Sequence, residues 1–179
     1  MNEMLILVDE QDQAIGVGEK MQVHRQGLLH RAFSVFVFDA RGRWLLQRRA
    51  DGKYHSGGLW SNSCCGHPRE GEATDAAARR RLREEMGFEC ELRHVARITY
   101  RLDVSDGLVE HECDHVFVGR YDGQPLPDPA EASDWAWKPL PELWDALAGR
   151  PQEFSRWLRH IADQTGRAEF ERWQSLATR

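Results

Sequence analysis

The order of its predicted elements places the chain in the α/β class (α+β), with a mixed β-sheet sandwiched between helices. Apolar segments of strand length come first, a helix is inserted among them, and further strands and two helices complete the chain. This order is typical of a mixed α/β sandwich rather than of a regular series of βαβ units. With 179 residues, 41% of them hydrophobic, the chain can bury a substantial core, so we expect one domain over residues 1–179.

Three apolar segments near the N-terminus are predicted strands. They cover Met4–Val8 and residues 32–38 and 44–47. Residues 39–42 have the turn composition Asp-Ala-Arg-Gly, so the second and third segments are expected to pair as a hairpin. Residues 49–62 are rich in Gly, Ser and charged residues, and this composition predicts a loop.

A helix is predicted over residues 74–85, where strong helix formers occur without Gly or Pro. Asp75 lies near the N-terminal end, where a negative charge complements the helix dipole. Gly87 is placed to end the helix, because glycine readily adopts the left-handed conformation of a C-terminal cap.

Two strands, a proline-rich loop and two helices are predicted for the second half of the chain. The strands cover residues 92–102 and 108–121 and are joined by a turn at residues 105–107. The proline-rich loop contains the prolines at positions 125, 127 and 129, and the helices lie near residues 140–147 and from Pro151 into the 160s.

Charge and hydropathy argue against a nucleic-acid or membrane partner. The net charge is −5, and no basic stretch is long enough to indicate a nucleic-acid surface. No segment approaches the roughly 18 apolar residues of a membrane span, and the N-terminus lacks the basic and apolar regions of a signal peptide. We therefore expect a cytoplasmic protein, a monomer or weak dimer, whose partner is a small-molecule substrate.

The four cysteines are predicted to be reduced thiols. They stand at positions 64, 65, 90 and 113 without a CxxC pair, and adjacent cysteines rarely form a disulfide because of its geometry. Cys90 and Cys113 are interpreted as small buried hydrophobic residues, which is the commonest environment of a free cysteine.

The most informative motif begins at Gly66. From there five residues lead to Glu72, seven more lead to Arg80, and residues 81–88 read Arg-Leu-Arg-Glu-Glu-Met-Gly-Phe. This spacing resembles the Nudix box, a diphosphate-binding motif, except that Arg81 stands where the box has glutamate.

The acidic residues of this motif predict a magnesium site. Glu84 and Glu85 are adjacent, so at least one carboxylate points toward the glycine loop, and carboxylate oxygens combined with substrate phosphates suit Mg²⁺. Arg81 and Glu85 are four residues apart and share a face of the helix. The resemblance to the Nudix box implies that Arg81, in place of a glutamate, removes a metal ligand and adds a phosphate contact, so the diphosphate is expected to be a handle rather than the reacting group.

A second group of residues predicts a site for another divalent metal. Glu110 and Glu112 alternate on a predicted strand, so both side chains lie on one face, roughly 7 Å apart along the backbone. Two inward carboxylates are costly to bury unless they meet a cation. The histidines at positions 24, 30 and 67 would complete a donor set suited to Mn²⁺, Zn²⁺ or Fe²⁺. The histidines at positions 55, 94, 111, 115 and 160 are interpreted as surface residues.

Two short motifs identify a family that the chain resembles. Residues 62–68 read Asn-Ser-Cys-Cys-Gly-His-Pro, and residues 110–112 read Glu-His-Glu. In this order around an altered Nudix box, they resemble type I isopentenyl-diphosphate isomerases, which are Nudix-fold enzymes of isoprenoid synthesis. The resemblance runs from about Lys20 to Trp157. It implies conversion of isopentenyl diphosphate to dimethylallyl diphosphate by protonation and deprotonation of the alkene.

The resemblance also implies a role for each site residue. Cys65 and Glu112 are the expected acid/base groups, and Cys64 is expected to pack. The ligands of a Mn²⁺ or Zn²⁺ ion are expected to be His24, His30, His67, Glu110 and Glu112. Glu85 and the backbone carbonyl of Cys65 are expected to hold the Mg²⁺ that binds the substrate diphosphate. The phosphates are expected to contact Lys20, Arg49, Lys53 and Arg81. The hydrocarbon end of the substrate is expected to contact Tyr100 and Trp157.

Two other functions agree with parts of the sequence. A Nudix hydrolase of a nucleoside or other organic diphosphate would share the fold and the magnesium site, and the intact Glu84-Glu85 pair fits it. Arg81 and the motif at residues 62–68 argue against a hydrolase. A non-catalytic, zinc-stabilised binding domain would need paired cysteine motifs, which the chain lacks.

Overall fold

The structure, a computed structural model, describes residues 3–104 and 106–179, which contain nine strands and five helices. The strands are β1 Met4–Val8, β2 Ala14–Glu19, β3 His30–Phe38, β4 Trp44–Arg49, β5 Trp60–Ser61, β6 Cys64–Gly66, β7 Leu92–Asp103, β8 Val109–Arg120 and β9 Ala132–Lys138. The helices are α1 Lys20–Gln26, α2 Thr74–Met86, α3 Leu140–Gly149, α4 Arg156–Thr165 and α5 Arg167–Thr178, with a 3-10 turn at Pro151–Glu153. None of the helices in the described ranges is both long enough and apolar enough to cross a membrane.

Strand β3 is the centre of the sheet. It pairs in parallel with β8 along its full length, and this register puts His30 opposite Glu112. Strands β1, β4 and β6 are its antiparallel neighbours. Beyond them, β2 pairs with β1, β7 pairs with β8, and β5 and β9 pair with β4. Strands β6 and β8 are therefore both direct neighbours of β3, and their side chains lie next to those of β3.

Alternation of side chains along β3 divides the core into two layers. One face of β3, with Phe33, Val35 and Val37, packs against buried residues of α2. The opposite face, with Phe36 and Phe38, packs against α3, α4 and α5. Helices therefore cover both faces of the sheet, and the predicted mixed sheet between helices is confirmed.

Most predicted elements occur with ends shifted by one or two residues. The first strand, the hairpin strands β3 and β4, and α2 lie where the sequence predicts them. Gly87 ends α2 in the left-handed conformation, with φ of 74°. The long strands β7 and β8 also agree with the prediction. Position 105 of the predicted turn lies outside the described residues.

Strands β2, β5, β6 and β9 and helices α1 and α5 do not follow from the apolar patterns. β2 contains two glycines and is exposed along most of its length, so it lacks the alternation of a half-buried strand. Helix α1 has seven residues, too few for a readable helical period. The predicted loop at residues 49–62 ends in β5, which has two residues.

Leu82→Ala should lower the free energy of unfolding by about 2–5 kcal/mol, because it removes a fully buried side chain between β3 and α2. Denaturant unfolding measures this change. Arg83→Ala is the control on the same helix, since the Arg83 side chain is 61% exposed and its ion pair with Glu89 lies at the surface. It should change stability by less than about 0.5 kcal/mol. Equal losses for the two variants would contradict the assigned core.

Candidate active site

One cavity brings together most of the residues that the sequence singles out. It has a volume of about 320 Å³ and is lined by residues from α1, the β4–β5 loop, β6, α2, β8 and α4. Ten predicted site residues line it: Lys20, Arg49, Lys53, Cys65, His67, Arg81, Glu85, Glu110, Glu112 and Trp157. His24, His30 and Tyr100 lie behind its wall, and each contacts one of the lining carboxylates.

His24 and His30 have the orientation of metal ligands. Both rings are fully buried, and each Nδ1 lies close to a backbone carbonyl oxygen, at 2.7 and 2.9 Å respectively. Because a carbonyl only accepts, each Nδ1 carries a proton, and in the neutral ring Nε2 then has a free lone pair. These Nε2 atoms face the carboxylates of Glu110 and Glu112 at 3.1 and 3.6 Å. A lone pair facing a carboxylate oxygen is repulsive unless a proton or a metal ion lies between them.

Five side chains form a candidate divalent-metal site: His24, His30, His67, Glu110 and Glu112. One ligand atom of each lies within 4.8 Å of the ligand atoms of the others. His67 Nε2 is 3.1 Å from the Glu112 carboxylate, and the buried His30 Nε2 has no hydrogen-bond partner among the described residues. Three imidazole nitrogens and two carboxylate oxygens suit a transition metal or zinc better than Ca²⁺. The residues present therefore fit a bound divalent ion.

Burial and hydrogen bonding oppose each other in this cluster. Burial alone would raise the pKa of Glu110, but the close imidazoles of His24 and His55 outweigh it and hold the pKa well below its usual range. Burial and the Glu110 charge would raise the pKa of Glu112, and the neighbouring imidazoles of His30 and His67 bring it below the usual value. Burial lowers the pKa of His67, so this ring is neutral near pH 7. At His24 burial also lowers the pKa, but the bond with Glu110 raises it, and the net shift is upward. In the absence of a metal ion, His24 is therefore protonated more readily than an ordinary histidine.

Local structure explains why the two N-terminal histidines converge. Glu19 caps the N-terminus of helix α1, and its carboxylate accepts a backbone N–H of the first turn at 2.8 Å. Gly27 caps the C-terminus of α1 with φ of 62°, a conformation that favours glycine. His30 follows as the first residue of β3, in register with Glu112. The turn at Gly27 therefore brings His24 and His30 together, with ring centroids 4.9 Å apart.

In the motif at residues 62–68, the polar side chains of Asn62 and Ser63 hold the start of β6, the strand that presents Cys65. Asn62 donates to two backbone carbonyls, at 2.7 and 3.3 Å, and accepts from Trp157 Nε1 at 3.1 Å. Ser63 donates to a carbonyl of β4 at 2.6 Å and accepts a backbone N–H of β3 at 2.8 Å. Cys65 then pairs with Ser34 across β6 and β3. Asn62 and Ser63 thus fix both Cys65 and an aromatic wall of the cavity.

The two adjacent thiols lie in different environments. Cys64 is fully buried in the layer between the sheet and α2, which agrees with a packing role. Cys65 is half-buried and lines the cavity. Burial raises the pKa of Cys65 to about 12, with the carboxylates of Glu85 and Glu112 adding to the shift and Arg49 opposing it. The Cys65 thiol is therefore protonated near neutral pH.

Glu112 has a phenol as a further partner. The hydroxyl of Tyr100 donates to its carboxylate, and the two residues pair across β7 and β8. Burial and the Glu112 charge raise the pKa of Tyr100 well above its usual range, so the phenol remains a hydrogen-bond donor. The resemblance predicts Tyr100 at the hydrocarbon end of the substrate. In the structure its hydroxyl contacts Glu112, and Tyr100 is not among the described residues that line the cavity, so its place at the hydrocarbon end stays a prediction.

Two residues of the Nudix-box pattern fasten the glycine loop to α2. Arg80 donates through Nε and Nη2 to the two carboxylate oxygens of Glu72, at 2.7 and 2.8 Å. Such bidentate pairs combine strength with a fixed geometry. Glu72 also accepts the backbone N–H of Arg69 at 2.9 Å. At Gly66 a Cβ atom would lie 3.1 Å from an aromatic carbon of β3 and 3.5 Å from the Arg81 side chain, so this close approach favours glycine.

Arg81 lies between the acidic side chains of α2. It donates through Nη2 to Glu85 at 2.7 Å and through Nη1 to Glu84 at 2.8 Å. The other Glu85 oxygen accepts from Gln47 Nε2 at 2.9 Å. Glu85 is buried and lines the cavity, whereas the Glu84 side chain is 38% exposed and is not part of the lining described. Of the adjacent glutamates, Glu85 is therefore the one that can hold a cation in the cavity.

Three of the four predicted phosphate-binding cations already have carboxylate partners. Lys20 pairs with Glu3 at 2.8 Å. Lys53 and Arg81 both pair with Glu131, which lies in the cavity wall just before β9. A ligand that binds these cations must therefore compete with the carboxylates of the protein itself.

Arg49 is the cation with the least satisfied donors. It is 8% exposed, and its Nε has no hydrogen-bond partner among the described residues. One Nη donates to the His55 carbonyl at 3.3 Å, and the guanidinium lies 5.0 Å from the centroid of the Trp157 ring. A buried N–H without a partner costs free energy that an anionic ligand would offset. Arg49 is thus well placed to bind a phosphate oxygen.

His55 belongs to the site, and its interpretation as a surface residue is wrong. It is 4% exposed, its Nε2 lies 2.7 Å from the Glu110 carboxylate, and its ring packs edge-on against Trp157 with centroids 5.6 Å apart. A glycine-rich loop has no periodic pattern from which burial can be read. The available signal was the Lys53-Tyr54-His55 sequence, a basic, an aromatic and an imidazole side chain in succession within that loop.

Solved structures with low sequence identity share the fold. DR0079 from Deinococcus radiodurans superposes with a TM-score of 0.78 at 22% identity, covering 92% of this chain and 100% of the other. A MutT protein from Methanosarcina mazei superposes with a TM-score of 0.61 at 16% identity, covering 83% and 94% respectively. At these identities the likeness concerns the fold alone.

Sequence relatives are much closer. Residues 28–160 match the NUDIX domain family. The chain is 55% identical to an isopentenyl-diphosphate Delta-isomerase of Serratia proteamaculans over 177 residues, which cover 99% of each chain. It is 54% identical to one of Burkholderia multivorans, covering 97% of this chain and 98% of the other. The chain therefore carries a NUDIX domain and belongs to the isopentenyl-diphosphate Delta-isomerase family.

Proposed function

We propose that this protein converts isopentenyl diphosphate to dimethylallyl diphosphate, the activity for which its relatives are named. The observation that carries the proposal is that a protonated thiol, Cys65, and an ionised carboxylate, Glu112, line one cavity together with several cations. The reaction adds a proton to one carbon of an alkene and removes a proton from another. It needs an acid and a base in one site, and it needs no oxidant or reductant.

The diphosphate is proposed to act as a handle. Its oxygens would be bound by Lys20, Arg49, Lys53 and Arg81, which reach the cavity from three separate parts of the chain. Arginine suits this role because its planar fork matches the geometry of phosphate oxygens. Glu85 and the backbone carbonyl of Cys65 would hold the Mg²⁺ that accompanies the diphosphate, since hard oxygen ligands and phosphates together suit this ion.

A second divalent ion, Mn²⁺ or Zn²⁺, is proposed at the five-residue cluster of histidines and glutamates. When bound, such an ion supplies positive charge that offsets the two buried carboxylates. The protein's own contribution is orientation. The backbone carbonyls that fix Nδ1 of His24 and His30 direct both Nε2 atoms toward the cluster. Tyr100 and His67 hold the Glu112 carboxylate from two sides.

Cys65 and Glu112 are proposed to move the protons. They lie on β6 and β8, which pair with opposite edges of β3, so they approach the cavity from different strands. One group gives a proton to the terminal carbon of the alkene, and the other removes a proton from the carbon next to the diphosphate-bearing methylene. The double bond moves by one position, and the diphosphate remains intact.

Trp157 is proposed to face the hydrocarbon part of the substrate. Protonation of the terminal carbon leads to a tertiary carbocation, and an aromatic face stabilises such a charge. The Trp157 ring is 4% exposed, and its Nε1 bond to Asn62 fixes its orientation in the cavity wall. Because water would trap the cation, a mostly buried aromatic wall also protects the intermediate.

Specific contacts argue against both alternatives. A hydrolase uses a cluster of glutamates to bind metals that activate water, whereas here Arg81 pairs with both Glu84 and Glu85. A zinc-stabilised binding domain depends on metal for its core. The described residues of this chain instead pack two hydrophobic layers, one on each face of the sheet.

Incubation of the protein with isopentenyl diphosphate and Mg²⁺ in deuterated water should produce dimethylallyl methyl signals that contain deuterium. The reason is that the added proton comes from an acid group that exchanges with solvent. Proton NMR detects the new methyl groups and their deuterium content. Release of phosphate or pyrophosphate with the alkene unchanged would identify a hydrolase instead and would contradict the proposal.

Cys65→Ala should lower the isomerisation rate by about 10²–10⁴-fold, because it removes one of the two proton-transfer groups. Binding of inorganic pyrophosphate, measured by calorimetry, should change little. The matched control is Cys64→Ala, which removes the neighbouring buried thiol and should leave the rate within about tenfold, since that thiol only packs. The thiol assignment would be wrong if Cys64→Ala lost the activity and Cys65→Ala kept it.

A further inference from the structure

We propose that Glu131 is an internal competitor of the diphosphate. In the free protein its carboxylate holds Lys53 and Arg81. It must release them when a diphosphate binds, and it takes them back when the product leaves. This inference rests on the proposed function, because it concerns the same cavity and the same two cations. It adds a residue that competes for these cations, and its effect is to weaken the binding of substrate and product alike.

The contacts of Glu131 are those of a bound anion. Its Oε2 accepts from Lys53 Nζ and lies 3.2 Å from Arg81 Nη2. The side chains of Glu131 and Lys53 are each 21% exposed, and that of Arg81 is 24% exposed, so these pairs are largely shielded from solvent. Burial would raise the pKa of Glu131, but the Lys53 bond and the Arg81 charge bring it below the usual value, so the carboxylate is ionised near pH 7.

The backbone of Glu131 is tied to both elements that carry these cations. Its carbonyl accepts the Ala50 N–H at 3.0 Å, and the carbonyl of Ala50 accepts the Lys53 N–H at 3.1 Å. On the other side, Glu131 N–H donates to Asp128 at 2.9 Å, and Asp128 N–H donates to the Glu85 carbonyl in α2 at 3.0 Å. The main chain is therefore fixed between the two cations, while the three rotatable bonds of the side chain allow the carboxylate to leave and return.

The balance of charges in the cavity explains why the Glu131 carboxylate must be displaced when a diphosphate binds. The lining of the cavity contains six basic side chains, Lys20, Arg49, Lys53, Arg69, Arg80 and Arg81, and five acidic ones, Glu3, Glu85, Glu110, Glu112 and Glu131. A diphosphate brings several further negative charges into this nearly balanced set. The Glu110 and Glu112 charges face the histidine cluster, but Glu131 faces cations that the phosphates need. Its repulsion and its competition both oppose diphosphate binding.

A competitor of this kind has a functional consequence. Substrate and product carry the same diphosphate, so contacts to it stabilise both equally and do not accelerate the chemical step. Binding that is too tight would slow product release. A carboxylate that recaptures Lys53 and Arg81 limits this uniform binding without touching the alkene.

Calorimetry with inorganic pyrophosphate and Mg²⁺ tests the inference, because it shows whether loss of the Glu131 charge strengthens or weakens the binding of pyrophosphate. Glu131→Gln should bind pyrophosphate about three- to fivefold more tightly than the wild-type protein, as expected for removal of a partly exposed carboxylate that pairs with two cations. In turnover assays KM should fall by a similar factor and kcat should not rise. Glu84→Gln is the matched control, because it removes a carboxylate that also pairs with Arg81 but lies outside the cavity lining. Its affinity for pyrophosphate should stay within about twofold of wild type.

The other outcomes overturn the inference. Weaker binding by Glu131→Gln would mean that Glu131 positions the two cations or holds the magnesium ion itself. Equal tightening by Glu84→Gln would mean that net charge alone is responsible. Glu131→Asp keeps the charge but shortens its reach, so it should tighten binding less than Glu131→Gln does. If the wild-type protein did not bind pyrophosphate, the proposed diphosphate site would be wrong. If the wild-type protein bound pyrophosphate and Glu131→Gln had no effect on the affinity, only the inference about Glu131 would be wrong.

Discussion

Glu110 and Glu112, two ionised carboxylates inside the fold, set the requirement that the rest of the site meets. Buried charges are costly unless they face opposite charge or a metal ion. The parallel register of β3 and β8 puts His30 opposite Glu112, and α1 brings His24 to Glu110. Because both rings donate Nδ1–H to backbone carbonyls, their Nε2 atoms are left for a cation. A slip of β8 by one residue would turn both carboxylates to the other face of the sheet, so fold and site depend on the same register.

At the phosphate end of the cavity, positive rather than negative charges need partners. The cations there must be stabilised before any ligand binds. Lys20 is held by Glu3, while Arg81 is held by Glu85 and Glu131. Cys65 lies close enough to both regions for Arg49 and several carboxylates to affect the pKa of its thiol. The cavity thus combines a region that needs positive charge with one that needs negative charge, and a substrate with an anionic head and an apolar tail fits between them.

The sequence predicts the parts of the site that lie in local patterns. Helix α2 follows from its helix formers and from Gly87, and Glu110 and Glu112 follow from their spacing on one strand. Gln47, His55 and Glu131 could not be predicted in this way, because each acts on a residue far away in the chain, such as Glu85 or Glu110. No local period records such a contact. The same holds for α1, since a seven-residue helix owes its place to a cap and to packing rather than to a readable apolar stripe.

The most direct test of this account is X-ray absorption at the zinc edge of the protein loaded with one equivalent of Zn²⁺. If the five-residue cluster binds the ion, the spectrum should show a shell of nitrogen and oxygen atoms at about 2.0–2.2 Å together with outer-shell scattering from imidazole rings. His30→Ala should reduce the imidazole contribution, because its ring is part of the cluster. A sulfur atom at about 2.3 Å would make Cys65 a ligand rather than a proton-transfer group, and a shell without imidazole would place the ion elsewhere; either result would contradict the account.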